Sequence, residues 1–272
     1  MQIVRDQGGS RALPRALYEW AYFFDLDGTL VDLVAKPWGV TADGELRTLI
    51  ASLARDTHGA VAVITGRSIA DVDRLFPDIR LPVAGQHGVE RRTFGGDVRR
   101  HSFPVELLDT ARRVLHAVQG RHPALLVEDK GLSLALHYRQ APRLASYAHR
   151  VMHRLRDGLG DAFCVQTGKR VVELKPAGRD KGVAIREFMD EPPFAGRRPV
   201  FIGDDITDEH GFEVVNAYGG LSIKVGGGTT IARRQLANVR AVRAWLSQGT
   251  AHLTAHITAH ITPHCGSEIV TP

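Results

Sequence analysis

Cysteine is close to absent from this chain of 272 residues: there are two, Cys164 and Cys265, far apart in sequence. That excludes a disulfide framework. Such sparing use of thiols points to a reducing compartment, so a cytoplasmic location is expected. No apolar run is long enough to span a bilayer, and no membrane partner is expected. The first ten residues carry Arg5 and Asp6 with no apolar stretch behind them, so no signal peptide is expected. A block of basic charge is missing as well. The net charge is +5, and its basic residues are spread out in short clusters such as Arg91-Arg92 and Arg99-Arg100. No nucleic-acid reader motif accompanies them. They read as solvated faces, or at most as a positive field for an anionic substrate, and nucleic acid is not an expected partner. What remains is ordinary: 43% hydrophobic and 24% charged residues, the balance of a globular protein. The length suffices for one large domain or two modest ones.

Short apolar segments alternate with helical patterns along the first hundred residues, as in a parallel α/β sheet. Ala21–Asp25 reads as a first strand, and Asp43–Arg55 as a helix with Leu46, Leu49, Ile50 and Leu53 at helical spacing. Ala60–Ile64 is a short β-branched strand. Ser68 then opens a helix, with Asp71 placed for a capping box, and Leu81–Ala84 is a further strand. After about residue 100 the texture changes. A helix over Glu106–Gln119 precedes strands at Leu125–Lys130 and Leu132–Arg139. A helix over Arg143–Gly158 precedes strands at Phe163–Thr167 and Arg170–Lys175. This α-β-β-α-β-β block predicts an antiparallel α+β unit. From Gly178 the first pattern returns, with a helix from Lys181 and a strand at Pro199–Ile202. A helix over Asp208–Asn216, a strand at Leu221–Val225 and a final helix over Thr230–Leu246 complete it. The expected domains are a discontinuous core, residues 20–100 and 178–248, a smaller inserted domain at 101–177, and a tail at 249–272. The crevice between core and insert is the natural ligand site.

The tail holds an internal repeat, Thr-Ala-His-Leu followed by two copies of Thr-Ala-His-Ile. With His264 it sets histidines at 252, 256, 260 and 264. In a helix they would share one face and could bind a transition metal. The plainer alternative is a frayed terminus.

The chemistry concentrates where strands end. Phe23-Phe24-Asp25-Leu26-Asp27-Gly28-Thr29-Leu30 is an apolar run closed by two carboxylates at i and i+2. On a strand these leave from the same side. Gly28 lets the chain turn and brings backbone N–H groups near whatever sits there. Two adjacent like charges are costly unless a cation separates them, which suggests a divalent metal together with a phosphate. Ile64-Thr65-Gly66-Arg67 follows the second parallel strand. Thr65 offers a hydroxyl and Gly66 a close N–H, while Arg67 either contacts the substrate or supports the loop. Lys181 opens the helix after the insert, where it can neutralise an attacking carboxylate and a phosphate oxygen. Phe201-Ile202-Gly203-Asp204-Asp205-Ile206-Thr207-Asp208 is a second apolar run ending in acids. Asp204 is placed to complete an oxygen shell for Mg²⁺. Asp205 or Asp208 would hold metal-bound water or Lys181, or would simply stabilise the next helix N-terminus.

These four pieces, in this order, resemble the haloacid dehalogenase superfamily of phosphotransferases. The resemblance implies a Rossmann-like parallel-sheet core with an inserted α+β cap domain, and a covalent aspartyl-phosphate mechanism. In it Asp25 is the nucleophile and Asp27 the general acid and base. Asp25, the backbone carbonyl of Asp27 and Asp204 hold Mg²⁺, and Thr65 and Lys181 stabilise phosphate oxygens. A carboxylate at Asp27 suits ester hydrolysis; dehalogenase-like and ion-pumping members lack it.

The insert occupies the position of that superfamily's type-two cap. Glu128 and Lys130 share a strand face, as do Glu173 and Lys175. Such pairs suit sugar hydroxyls, although a solvated face with cross-strand ion pairs would look the same. Val127-Glu128-Asp129-Lys130-Gly131, Val172-Glu173-Leu174-Lys175 and Gly85-Gln86-His87-Gly88 resemble the trehalose-6-phosphate phosphatases over residues 20–248. That resemblance implies that Glu128, Lys130 and Glu173 bind glucosyl hydroxyls, with His87 and Arg67 near the substrate. Gln86 departs from the family's usual residue, and the tail has no counterpart. Rival readings are a phosphatase for sucrose 6-phosphate or mannosyl-3-phosphoglycerate, a phosphomannomutase-like transfer, and a non-catalytic sugar-phosphate sensor.

Overall fold

The computed structural model describes residues 19–34 and 39–248. The histidine repeat and Cys265 lie outside the described residues. Two sheets organise the chain. The larger begins with β1 (Trp20–Phe24), a strand buried along its whole length because both of its faces are covered. Then come α1 (Gly44–Asp56), β2 (Val61–Ile64), α2 (Ile69–Leu75), β3 (Val83–Gly85), β4 (Glu90–Arg92) and β5 (Val98–Arg100). The second sheet and its helices follow: α3 (Leu108–Arg121), β6 (Leu126–Asp129), β7 (Leu134–His137), α4 (Ala145–Leu159), β8 (Phe163–Gly168) and β9 (Val171–Pro176). The chain then returns through α5 (Lys181–Met189), β10 (Arg198–Gly203), α6 (Glu209–Ala217), β11 (Leu221–Val225) and β12 (Arg234–Leu236) to a helix, α7, over residues 239–248.

The eight-stranded order is β12-β11-β10-β1-β2-β3-β4-β5. Strands β12 to β3 run parallel, and β4 and β5 add antiparallel at one edge. Alternation along β1 feeds two cores. Trp20, Tyr22 and Phe24 pack with Leu46, Ile50 and Leu53 of α1 and Val72 of α2. Ala21 and Phe23 face Ile185 and Phe188 of α5 and Phe212 of α6. Each such buried large side chain contributes about 1.5–3 kcal/mol by area. Helix starts are set by local chemistry. The Asp43 carboxylate accepts from Leu46 N at 2.8 Å, and Ser68 with Asp71 forms the capping box that their spacing predicts. From β1 the chain builds outward to β2 on one side and returns later as β10 on the other. The carboxyl ends of β1 and β10 therefore flank the crevice where open α/β sheets bind ligands.

The second sheet is antiparallel, in the order β6-β7-β9-β8. Leu134, Leu136, Val172 and Leu174 point to α3 and α4. Their alternates line up on the opposite face. One row across the sheet is Glu128, Ala135, Glu173 and Gln166, and the next is Leu126, His137, Val171 and Gly168.

Two expectations need correction. Residues 230–238 are not helical: Arg234–Leu236 pair with β11, and the helix starts only after Asn238, whose side chain accepts from Ala241 N at 3.0 Å. Arg91 and Arg92 are not solvated either, because both are buried on β4. Arg92 forks onto Asp73 at 2.6 and 2.8 Å and donates to Leu81 O. Arg91 pairs with Glu191 and Glu187 and lies over the Phe188 ring. Arg99 and Arg100 are the exposed pair of the four.

Candidate active site

Asp25 follows the last residue of β1, its N–H donating to Ile202 O of β10 at 2.9 Å. Gly28 turns the chain at φ +81°, and a Cβ there would lie 2.3 Å from the Asp204 carboxylate. Only glycine lets the two carboxylate-bearing loops pack this closely. Lys181 is the first residue of α5, whose N-cap Asp180 accepts from Val183 N at 2.8 Å. Its buried ammonium bridges Asp25 at 2.8 Å and Asp208 at 2.6 Å. Of the two acids expected to hold Lys181 or metal-bound water, Asp208 is therefore the lysine partner. Asp205 caps the turn that precedes α6, accepting from Ile206 N at 2.8 Å.

Asp27 is held differently. Arg67 sets Nε 2.6 Å and Nη2 2.7 Å from its two carboxylate oxygens. The Arg67 backbone N–H donates to Thr65 Oγ1 at 3.2 Å, so the loop after β2 is tied to itself and to the loop after β1. Thr65 is buried at the end of β2. Gly66 packs against His87: a Cβ at position 66 would lie 2.7 Å from His87 Nε2. Gln86, His87 and Gly88 all have left-handed backbones, with φ 46°, 57° and 92°. Two consecutive non-glycine residues in that region store strain, which folds tolerate mostly where a side chain must be aimed.

Above these groups lies the charged face of the second sheet. Glu173 accepts from Lys130 Nζ at 2.9 Å and from the fully buried Ser133 hydroxyl at 2.6 Å, and lies 3.4 Å from His87 Nε2. Glu128 and His137 Nε2 are 2.7 Å apart. A single cleft is lined by Asp25, Asp27, Thr65, Gly66, Arg67 and Lys181 on one side. Glu128, Lys130, Glu173 and His87 line it too, as do Asp204 and Asp205. The structure thus gathers the site residues named from the sequence except Asp208, which sits behind Lys181, and Lys175, which is buried outside the cleft with its ammonium donating to Arg179 O. Sequence reasoning missed Lys169, whose ammonium pairs with the Asp204 carboxylate, and Lys224, which donates to Asp204 O at 2.6 Å. It also missed Ser133, His137 and Gln166. Gln166 is the cross-strand neighbour of Glu173, and His137 meets Glu128 across the sheet; both placements depend on strand register that the local sequence does not carry.

The electrostatics follow from burial. Desolvation pushes the Asp25 carboxyl well above the usual range; Lys181 opposes this, and Asp208 and Asp204 add to it. Burial likewise raises Asp204, against the pull of Lys169. Burial alone would lower Lys181, but Asp208 and Asp25 hold it above its ordinary value. Burial would raise Glu173, yet Lys130, His87 and Ser133 together outweigh it and keep this carboxyl well below the ordinary range. Burial pushes His87 down to about 4, so the ring is neutral at pH 7, and among the described residues its Nδ1 has no hydrogen-bond partner.

Asp25, Asp204 and Asp208 each offer an oxygen within 4.8 Å of the others, all three being buried. Three close carboxylates, two with proton affinities raised by burial, form an all-oxygen donor set that fits a hard divalent cation. Among the described residues no helix is long and apolar enough to cross a membrane.

The trehalose-phosphatase family model matches residues 23–241. A trehalose-6-phosphate phosphatase of Escherichia coli is 42% identical over 240 residues, covering 88% of this chain and 90% of that protein. A probable trehalose-phosphate phosphatase of Sinorhizobium fredii is 40% identical over 215 residues, covering 79% and 81%. Among solved structures, the C-terminal domain of C. albicans trehalose-6-phosphate phosphatase has a TM-score of 0.78 at 22% identity, over 89% of this chain and 98% of that one. A trehalose-6-phosphate phosphatase related protein has a TM-score of 0.70 at 27% identity, over 87% and 99%. The first of these carries the fold alone.

Proposed function

The chain belongs to the trehalose-phosphatase family and is a phosphatase of trehalose 6-phosphate, and from that premise we propose how its residues divide the work. Asp25 Oδ attacks phosphorus. The new Asp25–phosphate bond forms as the ester bond to the sugar breaks, and the departing alkoxide takes a proton from Asp27. Asp27, now a carboxylate, removes a proton from water, which attacks the phosphorus and frees Asp25 and inorganic phosphate. Thr65 and Lys181 hold the phosphoryl oxygens where charge builds up. Asp25, the Asp27 carbonyl and Asp204 would hold Mg²⁺, which would offset the repulsion between nucleophile and phosphate. Arg67 keeps Asp27 oriented for both proton transfers.

Residues 101–177 serve as the cap and residues 20–100 with 178–248 as the catalytic core. Glu128, Lys130 and Glu173 receive the glucosyl hydroxyls, with His87 beneath them. Closure of the cap keeps water from the aspartyl phosphate until the sugar leaves. The protein works in the cytoplasm, in keeping with its sparing use of cysteine and with Cys164 having no disulfide partner among the described residues. The single observation that carries this reading is the Lys181 bridge between Asp25 and Asp208, set directly under the charged face of the second sheet.

The test is phosphate release from trehalose 6-phosphate, sucrose 6-phosphate, glucose 6-phosphate and mannosyl-3-phosphoglycerate, with Mg²⁺ and with EDTA. Preference for trehalose 6-phosphate, lost with EDTA and in Asp25→Asn, is the expected result. Preference for another sugar would keep the core chemistry and overturn the roles given to Glu128, Lys130 and Glu173. Turnover surviving in Asp25→Asn would overturn the aspartyl mechanism, and no turnover at all would favour a sensor.

A further inference from the structure

The contact between Lys169 and Asp204 has no part in the chemistry above. Lys169 stands at the turn between β8 and β9, with its side chain half exposed. From there it crosses to the eight-stranded sheet. Its ammonium donates to a carboxylate oxygen of Asp204 and, at 2.9 Å, to the Asp204 main-chain oxygen. Its backbone N–H donates to Asp205 Oδ2 at 3.1 Å. The main-chain oxygen is already served by buried Lys224 of β11, at 2.6 Å. What Lys169 adds is therefore positive charge on the carboxylate itself, delivered from the other sheet.

We propose that Lys169 is a positioning residue that competes with the divalent ion for Asp204, and so couples metal binding to docking of the second sheet. The inference rests on Asp204 being a metal ligand, as read above. An ammonium and a divalent ion on one carboxylate repel each other at a few ångströms, and the partly buried setting screens them poorly. The free protein therefore keeps one or the other. A substrate phosphate brings the negative charge that lets both remain, with Lys169 then facing the phosphate. Coupling is reciprocal: the factor by which the ion weakens the Lys169 contact is the factor by which Lys169 weakens the ion.

The experiment is a titration of the full chain with Mn²⁺ alone, followed by electron paramagnetic resonance or calorimetry. Wild type is compared with Lys169→Met, Lys169→Arg and Asp204→Asn, each checked for folding by circular dichroism. Lys169→Met keeps the length and removes the charge, so it binds Mn²⁺ tighter by about tenfold, within the usual range of such couplings. Lys169→Arg keeps the charge and stays close to wild type. Inorganic phosphate narrows the gap between wild type and Lys169→Met. In turnover, Lys169→Met raises KM more than it lowers kcat. Equal or weaker Mn²⁺ binding by Lys169→Met overturns the inference, as does a gap that phosphate leaves unchanged. The two readings separate cleanly. If Asp204→Asn binds Mn²⁺ like wild type, the metal reading fails and this one with it. If Asp204→Asn loses the ion while Lys169→Met gains nothing, the metal reading stands and the coupling is wrong.

Discussion

Arg67 grips Asp27 with two parallel hydrogen bonds, Nε to one carboxylate oxygen at 2.6 Å and Nη2 to the other at 2.7 Å. Such a fork fixes the plane of the carboxylate, which a single ammonium cannot do. In the mechanism proposed above Asp27 moves a proton in both halves of the reaction, so its orientation bears on kcat. Arg67→Lys is expected to lower kcat by about 10- to 100-fold with a smaller change in KM, a fraction of the span typical of a general acid–base group. Steady-state kinetics on trehalose 6-phosphate decide it; a rise in KM alone would assign Arg67 to substrate binding.

Lys181 is the buried counter-charge for Asp25 and Asp208 together. Lys181→Met leaves two buried carboxylates facing each other. Loss of one partner from a buried ion pair costs about 3–5 kcal/mol. Urea unfolding without divalent ions should show a midpoint lowered to match, and turnover should fall below detection. An unchanged midpoint would mean that the acids find another cation or take up protons at little cost.

Gly66→Ala tests how tightly the phosphate loop and the sugar site are packed together. Its Cβ would meet His87 at 2.7 Å, and His87 in turn faces Glu173 at 3.4 Å. The ring must shift, and Glu173, proposed to receive a glucosyl hydroxyl, loses its neighbour. KM for trehalose 6-phosphate should rise about tenfold while kcat falls less, the pattern of lost uniform binding. A fall in kcat with unchanged KM would place the damage at Thr65 instead.

His87 makes stability depend on pH. Its folded-state value lies near 4, below the 6.5 of a free histidine. Between those values the unfolded chain binds the proton and the folded chain does not, so stability falls as pH drops from 6.5 to 4. A depression of that size corresponds to about 3 kcal/mol. Glu173, also held below its ordinary range, extends the loss in the same direction below 4.5. Unfolding free energies across this range should show a flatter slope above pH 4.5 for His87→Gln than for wild type. Parallel slopes would mean that His87 is protonated in the fold.

Local chemistry made part of the molecule readable in advance. The buried strands ending at Asp25, Thr65 and Asp204, the Ser68 capping box and the helix opening at Lys181 all declare themselves within a few residues, because a strand end or a helix cap is a local event. Arg91 and Arg92 read as solvated in the sequence because their partners, Asp73, Glu187 and Glu191, are remote in it; a charged pair looks solvated until the fold supplies counter-charges. The span 230–246 carries apolar residues at helical spacing, yet β11 recruits Arg234–Leu236 as an edge strand. Tertiary pairing overrode the pattern, and Asn238 was the overlooked start signal. Lys169 gave no sign of itself, since an exposed lysine in a hairpin turn is ordinary until the turn meets another sheet.

The alternation of β7 and β9 has a consequence for how such an enzyme changes its diet. Leu134, Leu136, Val172 and Leu174 carry the packing against α3 and α4, while His137, Val171 and Glu173 on the opposite face line the cleft. With the sugar-binding roles proposed above, stability and substrate choice are encoded in interleaved letters of the same two words. A library confined to the cleft-facing set can sample new sugars while the helices beneath keep their contacts. Drift in the packing set leaves the recognised hydroxyls where they were.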